Sequence, residues 1–289
     1  MIEEPTKQLD CVSLTFDLET DIGVKIALPY ILDLLNKYDI SATFFITAEI
    51  IEKYPLDVKG IIDYGHEIGC HGLKHENLEK APFEEISRII KDSMSIFKKL
   101  NIPLYSFRAP YAKPSNDIFE VLDYFHFRID SSIPNFCYSH LLPYHPSKTD
   151  WGALPGENDY FRVLEIPITS IPIQIAFSTE NTYYYGFIPF IWRVVKKTEN
   201  LKIKRYSLQL KQFINNLGYP SILVFNFHPW EFVKCKNNSI AINCLKKLED
   251  LIKVFCKEEF EFHSLYEVGN IWEKNFCPIH SKIKEVNDA

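Results

Sequence analysis

Apolar and polar positions along this chain switch repeatedly between two periods. Cys11–Phe16 is a β-rich run that ends in Asp17, and Lys25–Tyr38 then sets Ile26, Tyr30, Ile31, Leu34 and Leu35 at helical spacing. Ala42–Ile46 reads as a second buried strand, Glu49–Tyr64 as a helix interrupted at Pro55, and Glu67–Cys70 as a third strand. Ala81–Leu100 predicts a long amphipathic helix, with Pro82 near its start where the missing N–H costs nothing. Further strands are predicted at Ser106–Phe107, Phe127–Ile129, Arg162–Ile168, Ile222–Phe227 and Phe260–His263. Further helices are predicted at Asn116–Phe125, Leu208–Leu217 and Ile240–Cys256, and residues 133–160, rich in Pro, Tyr, His and Gly, predict a long loop.

Strands that alternate with helices imply βαβ units and a mostly parallel sheet. Seven or eight such units, roughly, fill the length, which favours an α/β barrel over an open sheet. No repeat or linker divides the chain, so residues 1–289 read as one domain with its core between about 11 and 268 and a polar tail after Pro278.

Composition narrows the class. Hydrophobic residues make up 46% of the 289, enough for a sizeable core, and 17 prolines against 10 glycines point to well-defined loops. The net charge of −6, with Lys and Arg scattered, argues against a nucleic-acid partner; the short basic run Trp192–Lys197 reads as a solvated helix face. Seven cysteines with no Cys-x-x-Cys pair read as free thiols in a reducing compartment. The start Met1-Ile2-Glu3-Glu4-Pro5 does not resemble a secretion signal, and no apolar run reaches the ~18 residues of a membrane span, so a cytoplasmic protein is expected. The apolar patch Tyr183–Trp192 reads as core, with a groove wall or a lipid-facing surface as alternatives.

In α/β barrels the chemistry sits at the C-terminal ends of the strands. Here those ends deliver Asp17 and Glu19, then His71 followed by His75, then Arg108, Asp130 and His228. If the His71–His75 turn is helical, both imidazoles lie on one face and reach a common cation; alone, the pair would be two unrelated histidines. Asp17 and Glu19 project to the same side of an extended strand, so one can bind metal while the other acts as base. Glu19 has a second reading as a cap on the following helix. Arg108 is placed to hold a catalytic carboxylate ionised, or else forms a structural ion pair. Asp130 is placed to orient the His228 ring, or else caps a turn. His228 closes the apolar strand Phe225-Asn226-Phe227, a position usual for a core histidine but suited to a general acid at a barrel mouth.

These stretches, taken in order, resemble the polysaccharide deacetylases, carbohydrate esterase family 4. Thr15-Phe16-Asp17-Leu18-Glu19, His71-Gly72-Leu73-Lys74-His75, Arg108-Ala109-Pro110-Tyr111, Asp130-Ser131-Ser132 and Phe225–His228 resemble the family's five motifs. The resemblance implies a distorted (β/α) barrel of about seven parallel strands. It implies that Asp17 is the base, that Arg108 tethers it, and that His71 and His75 bind one divalent metal, zinc first, with cobalt, nickel or manganese as other candidates. It further implies that the backbone amide near Tyr111 supports the oxyanion and that His228, tuned by Asp130, protonates the leaving amine. Leu18 stands where the family commonly has the metal-binding aspartate. The Asp-x-Glu form, with His228-Pro229-Trp230-Glu231, is similar to a sub-branch in which Glu19 is the third ligand. The fourth motif also lacks its usual tryptophan, since Ile133-Pro134-Asn135-Phe136 follows.

The expected function is metal-dependent removal of an N-acetyl group from an amino sugar or a sugar-containing precursor. Two other readings are an amidase on a small cyclic or linear C–N substrate and a non-catalytic carbohydrate-binding relative.

Overall fold

A computed structural model describes residues 10–135, 141–151, 159–169, 197–234 and 237–276. The apolar patch Tyr183–Trp192, Cys137, Cys235, Cys277 and the tail after Pro278 lie outside them. Among the described residues no helix is long and apolar enough to cross a membrane.

The sheet grows outward from β1 (Cys11–Leu18), which is buried along its whole length. A parallel strand covered on both faces needs apolar residues on both. The outward set Val12, Leu14, Phe16 and Leu18 joins the main core with the helices. The alternate set Cys11, Ser13, Thr15 and Asp17 faces inward and becomes more polar toward the C-terminal end. From β1 the sheet runs in chain order through β2 (Thr43–Ile46), β3 (Glu67–Cys70), β4 (Ser106–Phe107), β5 (Ile129–Asp130) and β6 (Leu164–Glu165), and every pairing is parallel. β7 (Ile222–Phe227) lies on the other edge of β1, in register from Cys11↔Ile222 to Phe16↔Phe227.

The sheet curls until its two ends approach. Thr169, just past β6, donates its backbone N–H to Val224 O, and Val224 N–H donates to Thr169 Oγ1. Two short strands (Val233–Lys234 and Ser239–Ile240) form a separate hairpin, here β8 and β9. β10 (Glu261–Phe262) adds a two-residue parallel pairing to Cys11–Val12 on the edge that β2 uses further along, making an eight-stranded sheet. The result is the expected distorted barrel.

Helices cover the outside: Leu28–Lys37, Ala48–Lys53, Pro55–Asp63, Phe83–Lys99, Asn116–Tyr124, Lys197–Asn216 and Ile242–Lys257. Pro55 divides one expected helix into two, and the helix ending at Asn216 begins eleven residues before its predicted start at Leu208.

The helix Leu265–Phe276, partly beyond the predicted core, plugs the bottom of the barrel. Its Leu265, Val268 and Trp272 pack with Phe45, Ile129, Leu164, Ile166 and Val224. Its first N–H groups are met by the barrel's own side chains: Leu265 N donates to Thr43 Oγ1 at 2.9 Å and Tyr266 N to Glu67 Oε2 at 3.0 Å. Gly269 allows the closest approach, since a Cβ there would lie 2.2 Å from Ile129 Cδ1.

Candidate active site

Arg108, at the end of β4, is 1% exposed, and the inward polar residues of three other strands surround it. Its Nη1 donates to Asp17 Oδ1 at 2.9 Å, Thr15 Oγ1 at 2.7 Å and Asn226 Oδ1 at 2.9 Å. Its Nε donates to Ser131 O at 2.6 Å and its Nη2 to Ser131 Oγ at 3.0 Å, while the guanidinium lies 4.3 Å from the centre of the Phe45 ring. A buried cation is tolerated only when paired and hydrogen-bonded in this way.

Asp17 is held from two sides. Arg108 meets Oδ1, and Asn226 Nδ2 donates to Oδ2 at 2.9 Å. Burial works to raise its pKa, but the charges of Arg108 and His228 outweigh burial and hold it below the ordinary value.

Glu19, His71 and His75 offer one ligand atom each, all within 4.8 Å of one another. The buried His71 ring donates from Nδ1 to Arg108 O at 2.8 Å, which leaves Nε2 with its lone pair facing the cluster. Glu19 Oε1 accepts the Trp230 indole N–H at 3.1 Å, which turns Oε2 toward the histidines. Oε2 lies 2.8 Å from His75 Nε2 and 3.6 Å from His71 Nε2. Burial raises the Glu19 pKa, and its contacts with His71 and His75 reverse this and hold it well below the carboxylate range.

Both Glu19 Oε2 and His71 Nε2 are buried without a well-formed hydrogen bond. Two imidazole nitrogens and a carboxylate oxygen converge here, two of the three atoms buried and unsatisfied, and they fit a divalent cation of zinc-like preference.

Two points about these ligands that the sequence left open are decided by the structure. The His71–His75 segment is not helical: Gly72 takes φ +80°, and the chain bends back so that the rings sit 5.3 Å apart. The bend is held because Gly72 O and Leu73 O accept the first N–H groups of the helix Ala48–Lys53. Glu19 does not cap a helix; Thr20 Oγ1 accepts Gly23 N at 3.2 Å, and Glu19 turns inward.

His228 follows the last register pair of β7 with β1 and so stands beside Asp17, its Nε2 3.7 Å from Asp17 Oδ2. Burial alone would lower its pKa, but Glu231, Asp17 and Glu19 raise it to about 9. The pairing of His228 with Asp130 is corrected. On β5 the neighbours Ile129 and Ser131 take the inward positions, with Ile129 in the inner core and Ser131 on Arg108, so Asp130 points outward. There it accepts from Ser132 Oγ at 2.8 Å and interacts with the buried Glu165. Among the described residues, the carboxylates within 4 Å of His228 are Asp17 and Glu231.

Tyr111 borders the mouth with a positive φ of 63°, 58% exposed, its ring 4.3 Å from that of His75. Sequence reasoning overlooked Asn226 as a partner of Asp17 and assigned no role to Trp230 or Glu231. Asn226 was detectable, because it shares a strand face with His228 two residues on. The Trp230–Glu19 contact spans 211 residues of chain and carries no local signal.

Residues 4–129 match the family model described as polysaccharide deacetylase. Over 178 residues the chain is 30% identical to a peptidoglycan deacetylase of Helicobacter pylori, covering 61% of this chain and 59% of that one. The chain spans at most 59% of the length of the first curated relatives it matches. Among solved structures it shares the fold of a Mycobacterium smegmatis candidate polysaccharide deacetylase, with TM-score 0.67 at 17% identity over 93% and 92% of the two chains. It also shares the fold of PuuE allantoinase, with TM-score 0.66 at 14% identity over 95% and 93%. With Asp17, Glu19, His71, His75, Arg108 and His228 gathered at one barrel mouth, residues 4–129 are similar to the polysaccharide deacetylases, and the chain shares the fold of a solved structure of that description.

Proposed function

We propose that this protein is a metal-dependent hydrolase that removes an N-acetyl group from an amino sugar. The observation that carries the reading is the convergence of Asp17, Glu19, His71, His75 and His228 on one mouth. Glu19, His71 and His75 would hold the cation. When bound, it supplies Lewis-acid polarisation of the amide carbonyl and makes water more acidic.

The chain's own groups divide the proton transfers. Asp17, kept ionised by Arg108 and Asn226, accepts the proton released as water attacks the acetyl carbon. The backbone N–H near Tyr111 donates to the oxygen that becomes negative. His228, charged at neutral pH, gives its Nε2 proton to the amine nitrogen as the C–N bond breaks. Acetate and a free amino sugar result. The unsatisfied ligand set supports an enzyme over a binding-only relative, because such groups cost stability unless something binds there.

The test is acetate release from N-acetylated nucleotide sugars, lipid-linked sugars, chitooligosaccharides and peptidoglycan fragments, with and without a chelator. Release from at least one, abolished by the chelator and restored by zinc, is expected. No release from any of them rejects the proposal.

A further inference from the structure

We propose that Glu231 is the positioning carboxylate of His228, in the place that Asp130 leaves vacant by facing outward. The inference rests on the reading of His228 as the acid. The four residues His228-Pro229-Trp230-Glu231 form a tight turn beyond β7, in which Glu231 Oε2 accepts the backbone N–H of His228 at 3.0 Å. That bond fixes the carboxylate directly behind the imidazole, with Oε2 3.8 Å from Nδ1.

Each residue of this pair carries one unsatisfied atom. His228 Nδ1 and Glu231 Oε1 are both buried and lack a hydrogen-bond partner. The Glu231 side chain is 1% exposed, and the histidine is its one ion-pair partner among the described residues. Burial disfavours an isolated charge, and the Glu231 carboxylate stabilises the charged form of His228. A small rotation of the imidazole brings Nδ1–H onto the carboxylate, which fixes the tautomer and aims Nε2 at the mouth.

The other charges facing His228 are Asp17 and Glu19 of the β1 end, with Arg108 behind Asp17. Asp17 lies on the Nε2 side, where the proton must leave. Glu231 lies on the Nδ1 side, away from the reaction, and can hold the imidazolium without competing for that proton.

Glu231→Gln tests this. Its amide oxygen still accepts the His228 N–H, so the turn is kept while the charge is removed. In zinc-loaded protein, the NMR titration midpoint of the His228 ring, identified by its loss in His228→Gln, should fall by about 1–2 pH units. At pH 8, kcat should fall about twofold for a one-unit loss and about tenfold for a two-unit loss, with KM and bound zinc unchanged. An unmoved midpoint in a folded Glu231→Gln protein overturns the proposal. A wild-type His228 that is neutral at pH 7 overturns it whatever the variant does. The two readings fail separately: a protein that releases no acetate yet shows the shift loses only the deacetylase reading. One that releases acetate with no shift loses only the role of Glu231.

Discussion

Asn226 Nδ2 meets Asp17 Oδ2 at 2.9 Å, on the side of the carboxylate that Arg108 does not reach. Asn226 Oδ1 in turn accepts from Arg108, so the three side chains close a ring around one carboxylate. Asn226→Ala opens that ring. It leaves a buried guanidinium short of an acceptor, and a stability loss of about 1–3 kcal/mol by urea unfolding is expected. Asp17 loses its aim, and kcat should fall by up to about 100-fold with KM little changed. Wild-type kinetics in the folded variant would show that Arg108 alone positions the base.

Asp17→Asn separates base from ligand. Asp17 is outside the three-residue ligand cluster, so bound zinc, measured by elemental analysis, should stay at the wild-type level. Acetate release should drop by about 10²–10⁴-fold. Loss of zinc with the activity would make Asp17 a ligand instead.

Trp230→Phe keeps an aromatic ring but removes the donor to Glu19 Oε1. A ligating carboxylate released from its outer hydrogen bond binds metal more weakly, by about 10–100-fold. Calorimetric zinc titration of the metal-free protein checks this. Equal affinities would mean that Glu19 needs no help from the indole.

The buried Asp130–Glu165 pair sets a pH dependence of stability. Burial and the neighbouring Asp130 hold the Glu165 pKa well above its ordinary 4.5. The folded chain therefore keeps a proton that the unfolded chain releases near that value. This contribution is fully present below 4.5 and is lost as pH rises through the higher folded value. Glu165→Gln cannot titrate. Its unfolding free energy should thus gain on that of the wild type as pH is raised from 5 to 8 in matched urea series. A constant difference across that range would count against a shared proton.

Gly269→Ala tests the plug at the barrel bottom. The added methyl would sit 2.2 Å from Ile129 Cδ1, and an overpacked core of this kind costs about 1–3 kcal/mol. Ile129→Val in the same chain removes the offending carbon and should restore part of the loss. A neutral Gly269→Ala would mean the helix slides freely at that contact.

Much of this was legible before any coordinates. The alternation of strand-like and helical periods is enough to set out parallel βαβ units, because a strand buried on both faces and an amphipathic helix leave different marks on the sequence. Asp17, Glu19, His71, Arg108 and His228 could be singled out because a barrel gathers its strand ends, whatever the strands contain. The inward parity of β5 was equally available: Asp130 lies between two inward positions, and counting along the strand removes it from the mouth.

Sequence by itself therefore determined which strands form and which polar groups reach their ends, since both follow from local periodicity. Tertiary structure alone decided which of those groups touch. Trp230 steadies Glu19, and Glu231 stands behind His228, through a turn whose direction depends on how β7 packs along β1. His75 meets His71 through a bend pinned by the helix Ala48–Lys53 rather than by helical spacing of its own. Contacts between distant stretches depend on strand register and loop docking, which no local pattern of hydrophobic and polar residues encodes.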